Sequence, residues 1–90
     1  MTENVITVDV YASWGDIPPK YRIYVDNNLL TERDFIWNGT DTYIEERIIV
    51  NLNPGNHNLT VEQINNSGHI HVKNVTLNDC PSSMDFVTTE

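Results

Sequence analysis

The run Val5-Ile6-Thr7-Val8-Asp9-Val10-Tyr11 alternates without a break. Ile6, Val8 and Val10 share one face, and Thr7, Asp9 and Tyr11 share the other. Successive side chains of a strand point to opposite sides, so this is the pattern of a half-buried β-strand. The same period recurs along the chain. Tyr21, Ile23 and Val25 alternate with Arg22 and Tyr24, and Leu29 to Ile36 returns as the second arm of a hairpin. Tyr43 to Leu52 is the longest candidate. Ile44, Ile48, Val50 and Leu52 share a face there, with Glu46 as the odd charged member. Its Val, Ile and Tyr content favours strand over helix. Leu59 and Val61 face inward in the stretch from His57 to Ile64. Ile70 and Val72 hold one phase, while Val75 and Leu77 hold the other. One extra residue near Lys73-Asn74 produces such a slip, so a β-bulge is expected there.

Turn chemistry separates these runs. Gly15-Asp16 with Pro18-Pro19 makes a loop, because two adjacent prolines cannot donate to a ladder. Asp26-Asn27-Asn28 tolerates the left-handed region. Asn38-Gly39-Thr40-Asp41, Asn53-Pro54-Gly55-Asn56 and Asn65-Asn66-Ser67-Gly68 complete the set. About six strands and no substantial helix predict an all-β fold, a single antiparallel β-sandwich over residues 1–78. Residues 79–90 read as a polar C-terminal tail or docking arm.

The chain has 90 residues, room for one core, and a net charge of −8. Its five basic residues, Lys20, Arg22, Arg33, Arg47 and Lys73, are scattered. That excludes nucleic acid and anionic membrane as partners, since no basic stripe offsets the repulsion. A neutral ligand, a cation or a basic partner suits this balance. No apolar run approaches the roughly 20 residues of a membrane helix. The polar, acidic start has no signal-peptide character, which implies a virion, or the cytoplasm before assembly. Cys80 is the only cysteine, so disulfides do not brace the domain. A metal ion or packing between copies can supply stability instead, which makes an oligomer plausible. Twelve asparagines create four Asn-X-Ser/Thr triplets, at Asn38, Asn58, Asn65 and Asn74. They read as chance in an Asn-rich chain, because Asn58 and Asn74 fall inside expected strands.

Catalytic motifs are missing from the sequence, and Glu45 and Glu46 point to opposite faces, so they cannot flank one bond. The chain is therefore expected not to be an enzyme. His69 and His71 share a strand face at a spacing that suits a transition metal, but the sequence identifies no third ligand. The aromatic side chains are the better candidates. Trp14 in its Gly/Pro loop, Trp37 beside a Gly turn, and Tyr24 on a polar face can pack against sugar rings or anchor a protein interface. Each tryptophan also suits a cap over an open end of the core; Phe35 and Ile36 favour that reading for Trp37, while Trp14 is evenly placed between the two. Asp16, Asp26, Asp41 and Asp79 sit at turns, where Asp is common, and are the natural candidates for a cation.

Two stretches carry a family resemblance. Tyr21 to Leu30, and the segments Leu52 to Val61, Ile64 to Asn66, His69 to Val72 and Val75 to Asn78, together resemble the small calcium-dependent xylan-binding carbohydrate-binding modules. The resemblance implies a jelly-roll-like sandwich that holds a glycan through calcium at one loop end, with Asp16, Asp26 and Asp79 as the acids nearest that role. This chain has Asn65-Asn66 where the family carries an acidic ligand, and Ser67-Gly68 where an Asp is usual. Calcium draws most of its charge compensation from carboxylates, so the match is incomplete. The expected function is a non-catalytic carbohydrate-binding module, displayed on a virus particle, with a polysaccharide or glycan as partner. The alternative is a virion structural protein, a capsid decoration or tail-associated subunit that docks on other virion proteins.

Overall fold

Ile6, Val8 and Val10 all lie in the core, as the opening run requires. The computed structural model describes residues 2–36 and 43–89. Trp37 and Asp41 lie outside the described residues. The strands are β1 (Thr2–Ser13), β2 (Lys20–Val25), β3 (Asn28–Asp34), β4 (Tyr43–Leu52), β5 (Gly55–Gln63), β6 (His69–Leu77), β7 (Cys80–Pro81) and β8 (Asp85–Thr88). They form two four-stranded antiparallel sheets packed as a sandwich, in the orders β4-β1-β6-β7 and β3-β2-β5-β8. No helix occurs among the described residues.

The first sheet gives Ile6, Val8, Val10, Ile48 and Leu52 to the core, and the second gives Tyr21, Ile23, Val25, Leu59 and Phe86. Phe35, just past β3, is fully buried. Each aliphatic or aromatic side chain so buried contributes roughly 1.5–3 kcal/mol.

Glu46 is the exception on the inner face, and the structure accounts for it. The carboxylate is buried and accepts from the Tyr21 hydroxyl at 2.5 Å and from Arg33 Nε at 2.7 Å. Tyr21 belongs to β2 and Arg33 to β3, so this triad ties β4 to the facing sheet. Burial first, then the hydrogen bond to Glu46, holds the Tyr21 phenol well above its ordinary range. A buried charge needs such partners, because an unpaired one is costly.

The turns follow the sequence. Asp26 and Asn27 take φ of 52° and 69° in the two-residue β2–β3 hairpin. Asn78 and Asp79 repeat the device at 50° and 67° in the β6–β7 hairpin. Two left-handed residues in succession match the twist of the flanking strands, and Asn and Asp adopt that region most readily. The slip expected near Lys73-Asn74 is present. Asn74 has φ 56°, and the β1–β6 register shifts between Thr7 and Asp9.

The segment read as a polar tail belongs to the sheets. Cys80–Pro81 pairs with β6, and Asp85–Thr88 pairs with β5. Phe86 and Thr88 are buried, and Met84 packs against the core. Met84, Phe86 and Thr88 do alternate, but Pro81 and two serines precede them, and one of the three inward residues is polar. Thr88 resolves its own polarity by donating to the Asn53 carbonyl at 2.8 Å.

Candidate functional site

β1 lies between β4 and β6 in the first sheet, so its outward side chains meet neighbours from both. The register puts Tyr11 opposite Tyr43 on one side and His71 on the other. The next row inward along the strand is Glu45, Asp9 and Lys73, and the row after that is Arg47, Thr7 and Thr76. Side chains directly opposite each other in a sheet lie close enough to interact, which turns these positions into rows.

The first row is aromatic. The ring centroids of Tyr11 and Tyr43 are 5.1 Å apart, and those of Tyr11 and His71 are 5.2 Å apart with planes only 8° from parallel. The Lys73 ammonium sits 5.1 Å from the Tyr11 centroid. Tyr43 ends the row on the edge strand and is 50% exposed. Asp9 accepts from Asn74 Nδ2 at 2.9 Å, so the bulge helps to fix its carboxylate. The Thr7 and Thr76 hydroxyls hydrogen-bond each other. Ring surface flanked by a cation, two carboxylates and hydroxyls is what an amphipathic ligand needs: an apolar side to pack and polar groups to pair.

A second polar cluster lies at the sandwich end formed by the β2–β3 and β4–β5 turns. Asp26 accepts from His57 Nδ1 at 2.5 Å and from the Asn58 backbone N–H at 2.8 Å. His57 Nε2 lies 2.7 Å from the Asn53 carbonyl. Both ring nitrogens therefore face acceptors, and only the doubly protonated imidazolium can donate to both. The Asp26 bond first, and the Asn53 carbonyl second, raise the His57 pKa above the ordinary histidine value. Desolvation pushes Asp26 upward, but the hydrogen bonds from His57 and Asn58 outweigh it and leave its pKa below the usual range. With both nitrogens engaged, His57 is a structural latch rather than a free base.

The other sequence candidates are dispersed. Trp14 is partly buried and packs against the core beside Gly68. Gly68 has φ 69°, and a side chain there would run into Ser13 and Trp14, so glycine is required. Tyr24 points outward from the second sheet. Asp16 lies in the β1–β2 loop, at the opposite end from Asp26 and Asp79. Asp79 is exposed, in the second left-handed position of its hairpin. Among the described residues no three His, Cys, Asp or Glu side chains group to hold a metal. Asn65, in the stretch that resembles a calcium-binding loop, is committed to structure. It accepts from the Lys20 N–H at 3.0 Å and donates to the Pro18 carbonyl at 3.1 Å. Asp16 thus stands apart from Asp26 and Asp79, and the Asn65 amide is engaged in hydrogen bonds with Lys20 and Pro18.

The row of Tyr43, Tyr11 and His71 went unseen in the sequence as a unit. Its members come from three strands that only the register brings together. The signals in the sequence are the outward position of Tyr11 and the placing of His71 with His69 on one strand face. Comparison of the chain with protein-family models, with curated proteins and with solved structures finds no match in any of the three.

Proposed function

We propose that this protein is a non-catalytic carbohydrate-binding module that takes its ligand on the outer face of the first sheet. The observation that carries the reading is the row of Tyr43, Tyr11 and His71, flanked by Asp9, Glu45 and Lys73. The C–H face of a sugar ring packs on the aromatic row, led by the half-exposed Tyr43. Carboxylates and the ammonium one row away take the hydroxyls, and hydrogen bonds to charged groups are the stronger kind. An acidic chain of net charge −8 favours a neutral glycan. Calcium plays no part in this mode, which relies on stacking and direct hydrogen bonds.

A glycan-array screen of the purified protein, run with calcium and again with a chelator, tests the reading. Binding that survives chelation and is lost in Tyr11→Ala is the expected result. Silence under both conditions would remove it.

A second reading is a virion structural subunit that docks through protein contacts. Ile49, Leu29 and Val87, respectively 61%, 52% and 60% exposed, favour it, because they lie on both sheets. On either reading a virus particle is a fitting location. Purified particles would then contain the chain at fixed stoichiometry.

A further inference from the structure

We propose that the outer face of the second sheet holds a second sugar subsite, centred on Tyr24, so that one chain bridges two glycan strands. This rests on the carbohydrate reading of the first face. Tyr24, Asn27, Thr60 and Glu62 line a cleft of about 220 Å³. Pockets for drug-sized ligands start at roughly 300 Å³, so this cleft suits a single ring rather than a long chain segment.

Its walls are fixed before any ligand arrives. Arg22 holds Glu32 at 2.6 Å on the same outward face as Tyr24. Thr60 donates to Asn58 Oδ1 at 2.7 Å, and Asn58 in turn donates to Asp85 at 2.7 Å. The Thr60 oxygen thus keeps its accepting capacity toward the cleft. Glu62 is exposed and takes part in none of these bonds, so its carboxylate is free to accept from sugar hydroxyls. Asn27 is held by the hairpin turn at φ 69° and offers both a donor and an acceptor. Preorganisation of this kind lowers the cost of ordering side chains on binding.

The two faces point away from each other across the sandwich. A ligand stacked on Tyr11 and Tyr43 therefore cannot reach Tyr24 on the same molecule. Occupation of both faces takes two glycan strands, and joining two modest sites raises the apparent affinity for a dense polysaccharide without any new contact.

Titration calorimetry with the neutral β-1,4-linked hexasaccharides of glucose, mannose and xylose, each paired with turbidity of the matching soluble polysaccharide, tests the proposal. The expected result is two ligands per wild-type chain and precipitation of the polysaccharide whose hexasaccharide binds. Tyr24→Ala should bind one ligand, lose at least about tenfold in affinity at the second site, and fail to precipitate that polysaccharide. Glu62→Ala changes an exposed side chain and should reproduce the loss if Tyr24→Ala folds poorly. One ligand per chain, or two that persist in both variants, would overturn the second subsite and leave the first face standing. No heat at all would overturn both.

Discussion

The buried triad of Tyr21, Glu46 and Arg33 and the outward row of Tyr43, Tyr11 and His71 are built from similar parts, yet one is closed inside the sandwich and the other lies on its surface. Both combine aromatic rings with charge, and both are assembled across three strands. Inside, the parts close on one another. Glu46 is taken up by a phenol and a guanidinium, and no buried side-chain nitrogen or oxygen among the described residues lacks a partner. Outside, rings touch rings, Lys73 lies against Tyr11 and Asp9 accepts from Asn74, while Glu45 beside them is exposed. A closed network stabilises the fold and has nothing left for a ligand. An open row is expected to contribute less to the fold, and under the proposed function it supplies the ligand-facing groups. The comparison predicts that the two regions respond to mutation in opposite ways.

The largest effect should come from Arg33→Ala. It leaves a buried carboxylate without its cation, which typically costs 3–5 kcal/mol. The guanidinium is about half exposed, so water can partly replace it, and a loss of about 3 kcal/mol is expected. In a domain of this size that lowers Tm by roughly 12–24 °C. Chemical and thermal melts measure it, and glycan affinity of the folded fraction should not change. Equal loss of binding would erase the distinction between the regions.

Tyr43→Ala should do the reverse. We expect glycan affinity to fall about tenfold or more, the effect of removing an aromatic anchor. Stability should move by no more than about 0.5–1 kcal/mol, because the side chain is half exposed. An array hit titrated against both variants checks this. An unchanged affinity would mean that the aromatic row is not the anchor.

The Asp26–His57 latch lies between these extremes, partly exposed but closed, and pH is the lever on it. The raised His57 pKa gives a contribution that is complete below the unfolded value near 6.5 and is lost as pH rises through the folded value. The lowered Asp26 pKa gives one that is complete above about 3.8 and is lost as pH falls through the folded value. The pair therefore helps most between about pH 4 and 6.5. Tm should decline as pH rises from 6 to 9, and His57→Gln should flatten that decline. A slope that persists unchanged in the variant would show that the latch is not its source.

Asp79→Gly should have the smallest effect. Glycine fits the left-handed turn position better, so stability should rise by a few tenths of a kcal/mol and by no more than about 1. Binding should be the same with and without calcium, as expected for a turn residue rather than a metal ligand.

The sequence revealed the fold where local chemistry decides it. Strict alternation in β1 identified the inner face. Successive Asp and Asn residues marked the β2–β3 hairpin. The phase slip between Val72 and Val75 located the bulge at Asn74. Glu46 stood out as anomalous, but its partners on β2 and β3 could not be read, since they depend on how the sheets face each other. β8 was missed because its inward positions include Thr88, whose polarity is satisfied only by the Asn53 carbonyl of a distant turn. The site was less legible still. Tryptophans attract notice in a sequence, yet Trp14 turns toward the core, while Tyr11, Tyr43 and His71 become a unit only through register.

The most direct test of the central claim is an amide chemical-shift map of the isotopically labelled protein, titrated with the oligosaccharide that scores highest on the array. The account predicts that the strongest shifts fall on Tyr11, Tyr43, His71 and Lys73 and their neighbours across β1, β4 and β6. Shifts concentrated instead in the loops around Asp16 and Ser67, with the aromatic row silent, would contradict it.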